Sequence, residues 1–295
     1  MDLRHFRIFL TVCEAGTMTR AAEIVYMTQP SVSQVIAELE KEYGVRLFER
    51  LNHRLYLTAA GEHLRSYANH IVNLSEQVRK ELADLSAQGS IRIGASLTIG
   101  AHLLPGIIHA YRQELPDVEI YTQVDNTSVI EKLIMDDRID LGLVEGPIYS
   151  PHIQEEMLCE DDLVIICGPG HPFWDEGVIE INKLAGKSFI IREPGSGTRD
   201  IFERVMSQAG ANWKIIGIYN NTEAIKQAVR ENLGLAVVPK ISINDEVERG
   251  LLRAVEVSEL NLKRNFNLVY HRQKYFTIAM QNFIHTCKTI SPILV

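Results

Sequence analysis

Cysteine is scarce in this chain and follows no pairing pattern. Cys13, Cys159, Cys167 and Cys287 are the full set. None forms Cys-x-x-Cys, and no His or Cys cluster has the spacing of a zinc site. A disulfide scaffold and a structural zinc are thereby excluded, and no metal or other cofactor is expected. Cys159 and Cys167, eight residues apart, leave open a redox pair beside the plainer reading of two reduced thiols in or near buried strands. Long apolar runs are missing as well, since none approaches the ~20 residues that cross a bilayer. The N-terminus scatters charges where a signal peptide carries an apolar stretch, so a cytoplasmic protein without membrane contact is expected. Basic excess is absent: the net charge is −8, with ten Lys+Arg against eleven Asp+Glu in residues 1–90 and twenty against twenty-seven in the rest. A nucleic-acid reader with this balance must rely on placed residues rather than on a cationic field. No Ser-His-Asp, metal-binding or paired-carboxylate grouping stands out, and "GPGHP", which holds His171 close to Cys167, reads as a turn. No enzyme is expected, and no catalytic residue is named.

What the chain does contain is organised in three segments. Apolar residues at 46% and charged residues at 23% suit a soluble globular protein, and 295 residues allow one to three domains. Residues 1–58 read as short helices. Leu3, Phe6, Phe9, Leu10 and Cys13 keep helical spacing up to Gly16, Thr17 is a plausible N-cap for "MTRAAEIV", and after the break "YMT" a helix opens at "TQPSVSQVIAELE" with Thr28 as its cap. Two short helices joined by a tight turn form a helix-turn-helix. The buried stripe of the second helix is Val32, Ile36 and Leu39. Its other face is small or polar and almost free of charge, which suits a surface that must approach base edges. Residues 43–62 follow as a hairpin, or wing, with Arg50, His53 and Arg54 at its tip. Residues 59–89 are a linker: one long helix to about residue 87, then a flexible break. Its stripe, which includes Leu64, Tyr67, Ile71, Leu74 and Val78, has near-heptad spacing and is assigned to a dimer seam, with packing on its own domain as the alternative.

Residues 90–295 alternate strands and helices, as a mainly parallel sheet requires, and are long enough for two α/β lobes. Ligands in such folds bind beyond the carboxyl ends of the strands. That places "ASLTIG" (95–100), "DNTS" (125–128), "EGP" (145–147), "EPGSGTR" (193–199) and "YNNTE" (219–223) around one cleft. The glycines and hydroxyls of "GSGTR" precede a helix and suit an anion held by backbone N–H groups, while the stretch lacks the lysine of a nucleotide P-loop. An ordinary turn with Ser196 or Thr198 as N-cap is the alternative.

The run from Phe9 to Glu62, with its alanine pair, Gln-Pro, Ser-x-x-Ile-x-x-Leu-Glu, Leu-Phe-x-Arg and Leu-Thr-x-x-Gly, resembles the DNA-binding domain of LysR-type transcriptional regulators. The linker and the α/β remainder fit that family too, and "GSGTR" resembles members that regulate sulfur assimilation and carbon fixation. The resemblance implies an α+β multidomain chain: a winged helix-turn-helix over 1–58, a dimerising linker helix over 59–89, and a two-lobed effector-binding domain over 90–295 like a type 2 periplasmic binding protein. The first lobe covers about 90–162 and 268–295, the second about 163–267. The implied partners are double-stranded promoter DNA, a small-molecule effector, a homodimer or homotetramer, and RNA polymerase.

Expected DNA-binding residues are Arg20, Thr28, Gln29, Pro30, Ser31, Ser33, Gln34, Arg50, His53 and Arg54. Gln34 and Ala37 stand where many family members carry basic residues, which shifts weight to the wing and to Arg4, Arg7 or Arg20. Expected effector-binding residues are Ser96, Thr98, Asn126, Thr127, Ser196, Gly197, Thr198, Arg199 and Thr222, a hydroxyl-rich, charge-poor set suited to a small anion, with Arg192 or Arg199 assisting. The rival readings are a solute-binding protein, which would need export, and a redox-sensing regulator using Cys159 and Cys167.

Overall fold

The structure is a computed structural model that describes residues 2–51, 54–83 and 89–294. It divides into two compact units, residues 1–87 with 135–138, and 88–134 with 139–295.

The first unit begins with α1 (Leu3–Ala15), whose N-cap Asp2 accepts from the backbone N–H groups of Arg4 and His5 and which ends at Gly16 in the left-handed region. Thr17 caps α2 (Met18–Ile24) and Thr28 caps α3 (Gln29–Tyr43). Ala21 and Ala22 bury one face of α2, and Val32, Ile36 and Leu39 bury one face of α3. Together with Phe6, Ile8, Phe9 and Val12 of α1 they build the core. The wing is the antiparallel pair β1 (Phe48–Leu51) and β2 (Arg54–Leu57).

Several motif residues prove to be structural. Glu40 Oε1 accepts from the backbone N–H of Leu47 at 2.8 Å and so ties α3 to the wing. Thr58 Oγ1 donates to the Arg46 carbonyl at 2.7 Å and accepts from the Gly61 N–H at 3.0 Å. A Cβ on Gly61 would lie 2.2 Å from the Leu47 carbonyl oxygen, so only glycine permits this close approach. α4 (Ala59–Ala83) then runs 25 residues, about 37 Å. Ala68 and Val72, with Leu64 partly, pack on the unit's core. Ile71, Leu74 and Val78 are 41%, 41% and 47% exposed in the single chain. No helix among the described residues is long and apolar enough to cross a membrane.

The second unit contains, in chain order, β3 (Ser90–Ala95), α5 (Leu97–His102), α6 (Leu104–Glu114), β4 (Glu119–Val124), α7 (Thr127–Met135), β5 (Leu141–Val144), β6 (Ile153–Cys167), β7 (Val178–Ile179), β8 (Lys187–Arg192), α8 (Gly197–Gln208), β9 (Trp213–Tyr219), α9 (Thr222–Arg230), β10 (Leu235–Pro239), α10 (Asn244–Glu248), β11 (Arg253–Val257), β12 (Lys263–His271) and α11 (Ile278–Leu294). The strands run β4-β3-β5-β12-β6-β10-β8-β9, with β11 on β6 and β7 on β11. β4, β3 and β5 are parallel, and so are β10, β8 and β9. Between these groups lie two antiparallel strands. β6 pairs with β12 along its first part and with β10 and β11 along its last. Two cores result. Ile91, Ile93, Leu141, Leu143 and Phe266 centre the first lobe, and Ile165, Phe189, Phe202 and Val237 centre the second. β6 and β12 pass between them.

The sheet is therefore less parallel than the alternation suggests, and residues 153–162 form a strand that the periodicity does not show. β6 also bears on the cysteine pair. Cys159 and Cys167 stand on one extended strand, about 26 Å apart, far beyond the ~7 Å that a disulfide tolerates. Burial pushes both thiols up to about 11. In this conformation the two thiols cannot form a disulfide with each other, and the expectation of a redox pair gains no support.

Candidate functional site

The exposed face of α3 carries Thr28, Gln29, Pro30, Gln34 and Ala37, with Ser31 and Ser33 half-buried. Two of the hydroxyls are engaged within the cap, where Thr28 Oγ1 and Ser31 Oγ are 2.8 Å apart. Gln34 Nε2 donates to Glu38 Oε1 at 2.9 Å, and Glu38 Oε2 lies 3.1 Å from His5 Nε2. The bond to Asp2 first, and that to Glu38 second, raise His5 against the opposing effect of burial. Glu38, a carboxylate on the presented face, is a residue that sequence reasoning passed over. Arg7 is engaged with Glu76 and Arg20 with Glu23, while the Arg4 guanidinium reaches the Met27 sulfur. The turn before α3 holds Tyr26 at φ 53 and 97% exposed. His53 and the side chains of Arg50 and Arg54 lie outside the described residues.

In the second unit, strand ends converge on a buried cluster. Arg264 of β12 donates from Nε to Asp161 Oδ2 at 2.6 Å, from Nη1 to Thr198 Oγ1 at 2.9 Å and from Nη2 to Thr98 Oγ1 at 3.2 Å. Thr98 in turn donates to Glu145 Oε1 at 3.1 Å, and Glu145 Oε1 lies 3.7 Å from Arg264 Nη1. One guanidinium on a crossing strand thus joins the first turn of α5 in the first lobe to that of α8 in the second. A second seam lies beside it. Asn126 Nδ2 donates to Glu193 Oε1 at 3.3 Å, and the Ser128 N–H donates to the Gly195 carbonyl at 3.3 Å. Gly146 and Gly197 meet backbone to backbone, since a Cβ built on Gly197 would lie 2.4 Å from the Gly146 Cα.

Arg192 donates from Nε and Nη2 to the two oxygens of Glu193 at 2.8 and 2.9 Å. Its Nη1 is buried without a hydrogen-bond partner among the described residues, as are Ser96 Oγ, Thr127 Oγ1 and Glu145 Oε2. Burial raises Glu145, and Arg264, Thr98 and Arg192 oppose it. At Glu193 burial acts in the same upward direction, but the Arg192 bonds hold the carboxyl below its ordinary value.

The structure therefore brings together Ser96, Thr98, Asn126, Thr127, Gly197, Thr198 and Arg192. Thr198 is not the N-cap, because it lies within α8 one residue past its start, and its hydroxyl accepts from Arg264. Ser196 holds the N-cap position of α8 without a side-chain cap bond. Arg199 braces the turn by donating to the Arg192 carbonyl and to Glu203. Thr222 stands half-buried at the start of α9, after the cap Asn221, and no hydrogen bond ties it to the cluster among the described residues. The expectation of a charge-poor site is corrected: Arg264, Asp161, Glu145, Arg192 and Glu193 line it. One signal for Arg264 was available. Arg264, Phe266 and Leu268 alternate on one face of β12, so the arginine shares the buried side.

A reading helix on a winged three-helix core, joined to a two-lobed domain with a buried polar cleft, defines a ligand-responsive DNA-binding regulator. Residues 3–62 match the bacterial regulatory helix-turn-helix protein family of lysR type, and residues 85–290 match the LysR substrate binding domain. The chain belongs to the LysR family and is a LysR-type transcriptional regulator with an effector-binding domain. It is 34% identical to the HTH-type transcriptional regulator YeiE of Escherichia coli (strain K12), over 97% of each chain. It is 32% identical to the RuBisCO operon transcriptional regulator of Allochromatium vinosum, over 96% of this chain and 94% of that one. Its fold resembles the regulatory domain of Synechocystis PCC6803 CcmR in complex with 2-PG, with TM-score 0.65 and 24% identity over 69% of this chain and 97% of that one. The helix-turn-helix match sets aside the solute-binding reading.

Proposed function

We propose that this regulator responds to a small anionic metabolite held between the lobes of the second unit, and that it works in the cytoplasm as a homodimer or homotetramer on operator DNA. The carrying observation is the Arg192 guanidinium, buried with Nη1 unpartnered among the described residues, together with the equally unpartnered strand-end hydroxyls of Ser96 and Thr127. Buried polar atoms are rarely left unbonded, and these three can all donate to one oxyanion. That structures of this fold hold 2-PG and shikimate agrees with a small-molecule site. Such a ligand acts on DNA binding through its differential affinity for two assembly states, typically ~1–3 kcal/mol of coupling. At the DNA, Gln29, Pro30, Ser33 and Gln34 read base edges while Arg50, His53 and Arg54 serve the backbone. Calorimetry with a panel of small oxyanions and carboxylates tests the effector reading. Binding to the wild type that Arg192→Gln weakens at least tenfold supports it, and a panel in which nothing binds overturns it.

A further inference from the structure

Of the buried atoms in the cleft without a partner among the described residues, one is of the wrong kind for an anion. Ser96 Oγ, Thr127 Oγ1 and Arg192 Nη1 donate; Glu145 Oε2 is a carboxyl oxygen, and all four lie out of solvent. Ser96, Thr127 and Glu145 follow the adjacent parallel strands β3, β4 and β5, and Arg192 ends β8. The charges around Glu145 come from three strands: Arg264 of β12, Asp161 of β6 and Arg192 of β8, with Thr98 of α5 donating to its other oxygen.

Those charges do not balance in favour of a bare anion. Arg264 is taken by Asp161 and Arg192 by Glu193. Arg264 is shared, with Asp161 at 2.6 Å and Glu145 Oε1 at 3.7 Å, so three carboxyl groups face two guanidinium groups. An ionised Glu145 would face an oxyanion lone pair to lone pair, charge to charge, in a place where water does not screen them. With one proton added, the same group becomes a fourth donor, and Ser96, Thr127, Arg192 and Glu145 form an all-donor set. Burial already favours that protonated form.

Resting on the anionic reading above, we propose that the effector is an oxyanion taken up together with one proton, held between Glu145 Oε2 and a ligand oxygen, and that Glu145 selects for ligands able to share it. The balance is simple: site, oxyanion and one solvent proton combine. The complex has the same composition whether the carboxyl donates to the anion or an acidic ligand O–H donates to the carboxylate.

The test is calorimetry of the full-length protein with inorganic sulfate, inorganic phosphate and acetate, on both sides of neutrality and in two buffers of different ionisation enthalpy. Sulfate, which brings no proton of its own, is the sharpest probe. Above the pH at which the free Glu145 carboxyl ionises, the wild type should take up one proton per sulfate and lose about tenfold in affinity per pH unit, and below that pH the uptake should vanish because the carboxyl already holds its proton. Glu145→Gln keeps the shape and supplies a permanent N–H donor, so it should bind sulfate with no proton uptake and a flat pH profile. In the infrared difference between sulfate-bound wild type and E145Q, a protonated-carboxyl band should be present for Glu145. Sulfate binding that is independent of pH, with no proton uptake, overturns the proposal and leaves the anionic reading standing. If none of the three probes binds the folded wild type at any pH, the anionic reading fails and takes this one with it.

Discussion

Arg264 and Asp161 stand opposite each other in the antiparallel pair of β6 and β12, and one oxygen of Asp161 takes both Nε and Nη2 of the guanidinium at 2.6 Å. Their side chains are 1% and 2% exposed. Arg264→Met therefore leaves Asp161 and Glu145 as buried acids without their cation, at an expected cost of about 3–5 kcal/mol. Thermal unfolding should show the loss, larger at alkaline than at acid pH, because protonation relieves both carboxyls.

A second expectation concerns Glu145 in the absence of any ligand. Its folded pKa is raised above the unfolded value, with burial as the main cause. The stability it contributes is then fully present below the unfolded value and is lost as the pH rises through the folded one. Urea unfolding midpoints should fall on the alkaline side for the wild type and stay flatter for Glu145→Gln.

The contact between Gly146 and Gly197 leaves no room for a methyl group. A Cβ on either residue would fall 2.4–2.6 Å from the other's Cα, a separation that only backbone displacement relieves. Gly197→Ala should hold the lobes apart at this point and break the bond from the Ser128 N–H to the Gly195 carbonyl. Amide hydrogen exchange should register faster exchange at Ser128, with the cores around Ile93 and Phe189 still protected.

Most of the framework was legible because local rules agree with the fold. Thr17, Thr28, Gly16 and Gly44 bracket helices that the spacing of Phe6, Phe9, Val32 and Ile36 defines. The apolar runs "SIRIGAS" and "LGLAVVP" have the length and residue types of strands and are β3 and β10. The first part of β6 did not read so, because Glu155, Glu156, Glu160 and Asp162 put acids where a core strand would carry apolar residues. Its pairing with β12 is tertiary and leaves no period in the sequence. The site was half legible for the same reason. Strand-end hydroxyls announce themselves by following apolar runs, whereas Asp161 and Arg264, 103 residues apart, meet only through long-range pairing.

At the DNA, the bond between Gln34 and Glu38 sharpens the expectation. Gln34 must leave a carboxylate to reach a base, whereas Gln29 forms no such bond among the described residues. Gln29→Ala should cost ~1–3 kcal/mol at one or two base pairs, and Gln34→Ala less, because part of its gain is offset by the broken bond. Arg50→Ala or Arg54→Ala should weaken all sequences alike and flatten the salt dependence by about one unit per lost phosphate contact. Quantitative footprinting on substituted operators, repeated across salt concentrations, reads both.

The exposed stripe of α4 is the seam proposed for assembly. Ile71, Leu74 and Val78 are exposed in the single chain, while Ala68 and Val72 already serve the core. Ile71→Glu should leave the winged domain folded and shift sedimentation to smaller species, with weaker operator binding. An unchanged sedimentation coefficient would remove this face from the interface.

The crossing of β6 and β12 also sets an order of events at the ribosome. The first lobe draws β12 and α11 from the end of the chain: Phe266, Leu268 and Phe283 belong to its core, and Tyr111 donates to the carbonyl of Ala279, 168 residues later. The winged helix and the second lobe can close on residues already synthesised, but the first lobe, begun earlier, must wait for the last strand and helix. Until they emerge, β5 keeps an open edge. Nascent chains halted before Lys263 are the ones that most need a chaperone.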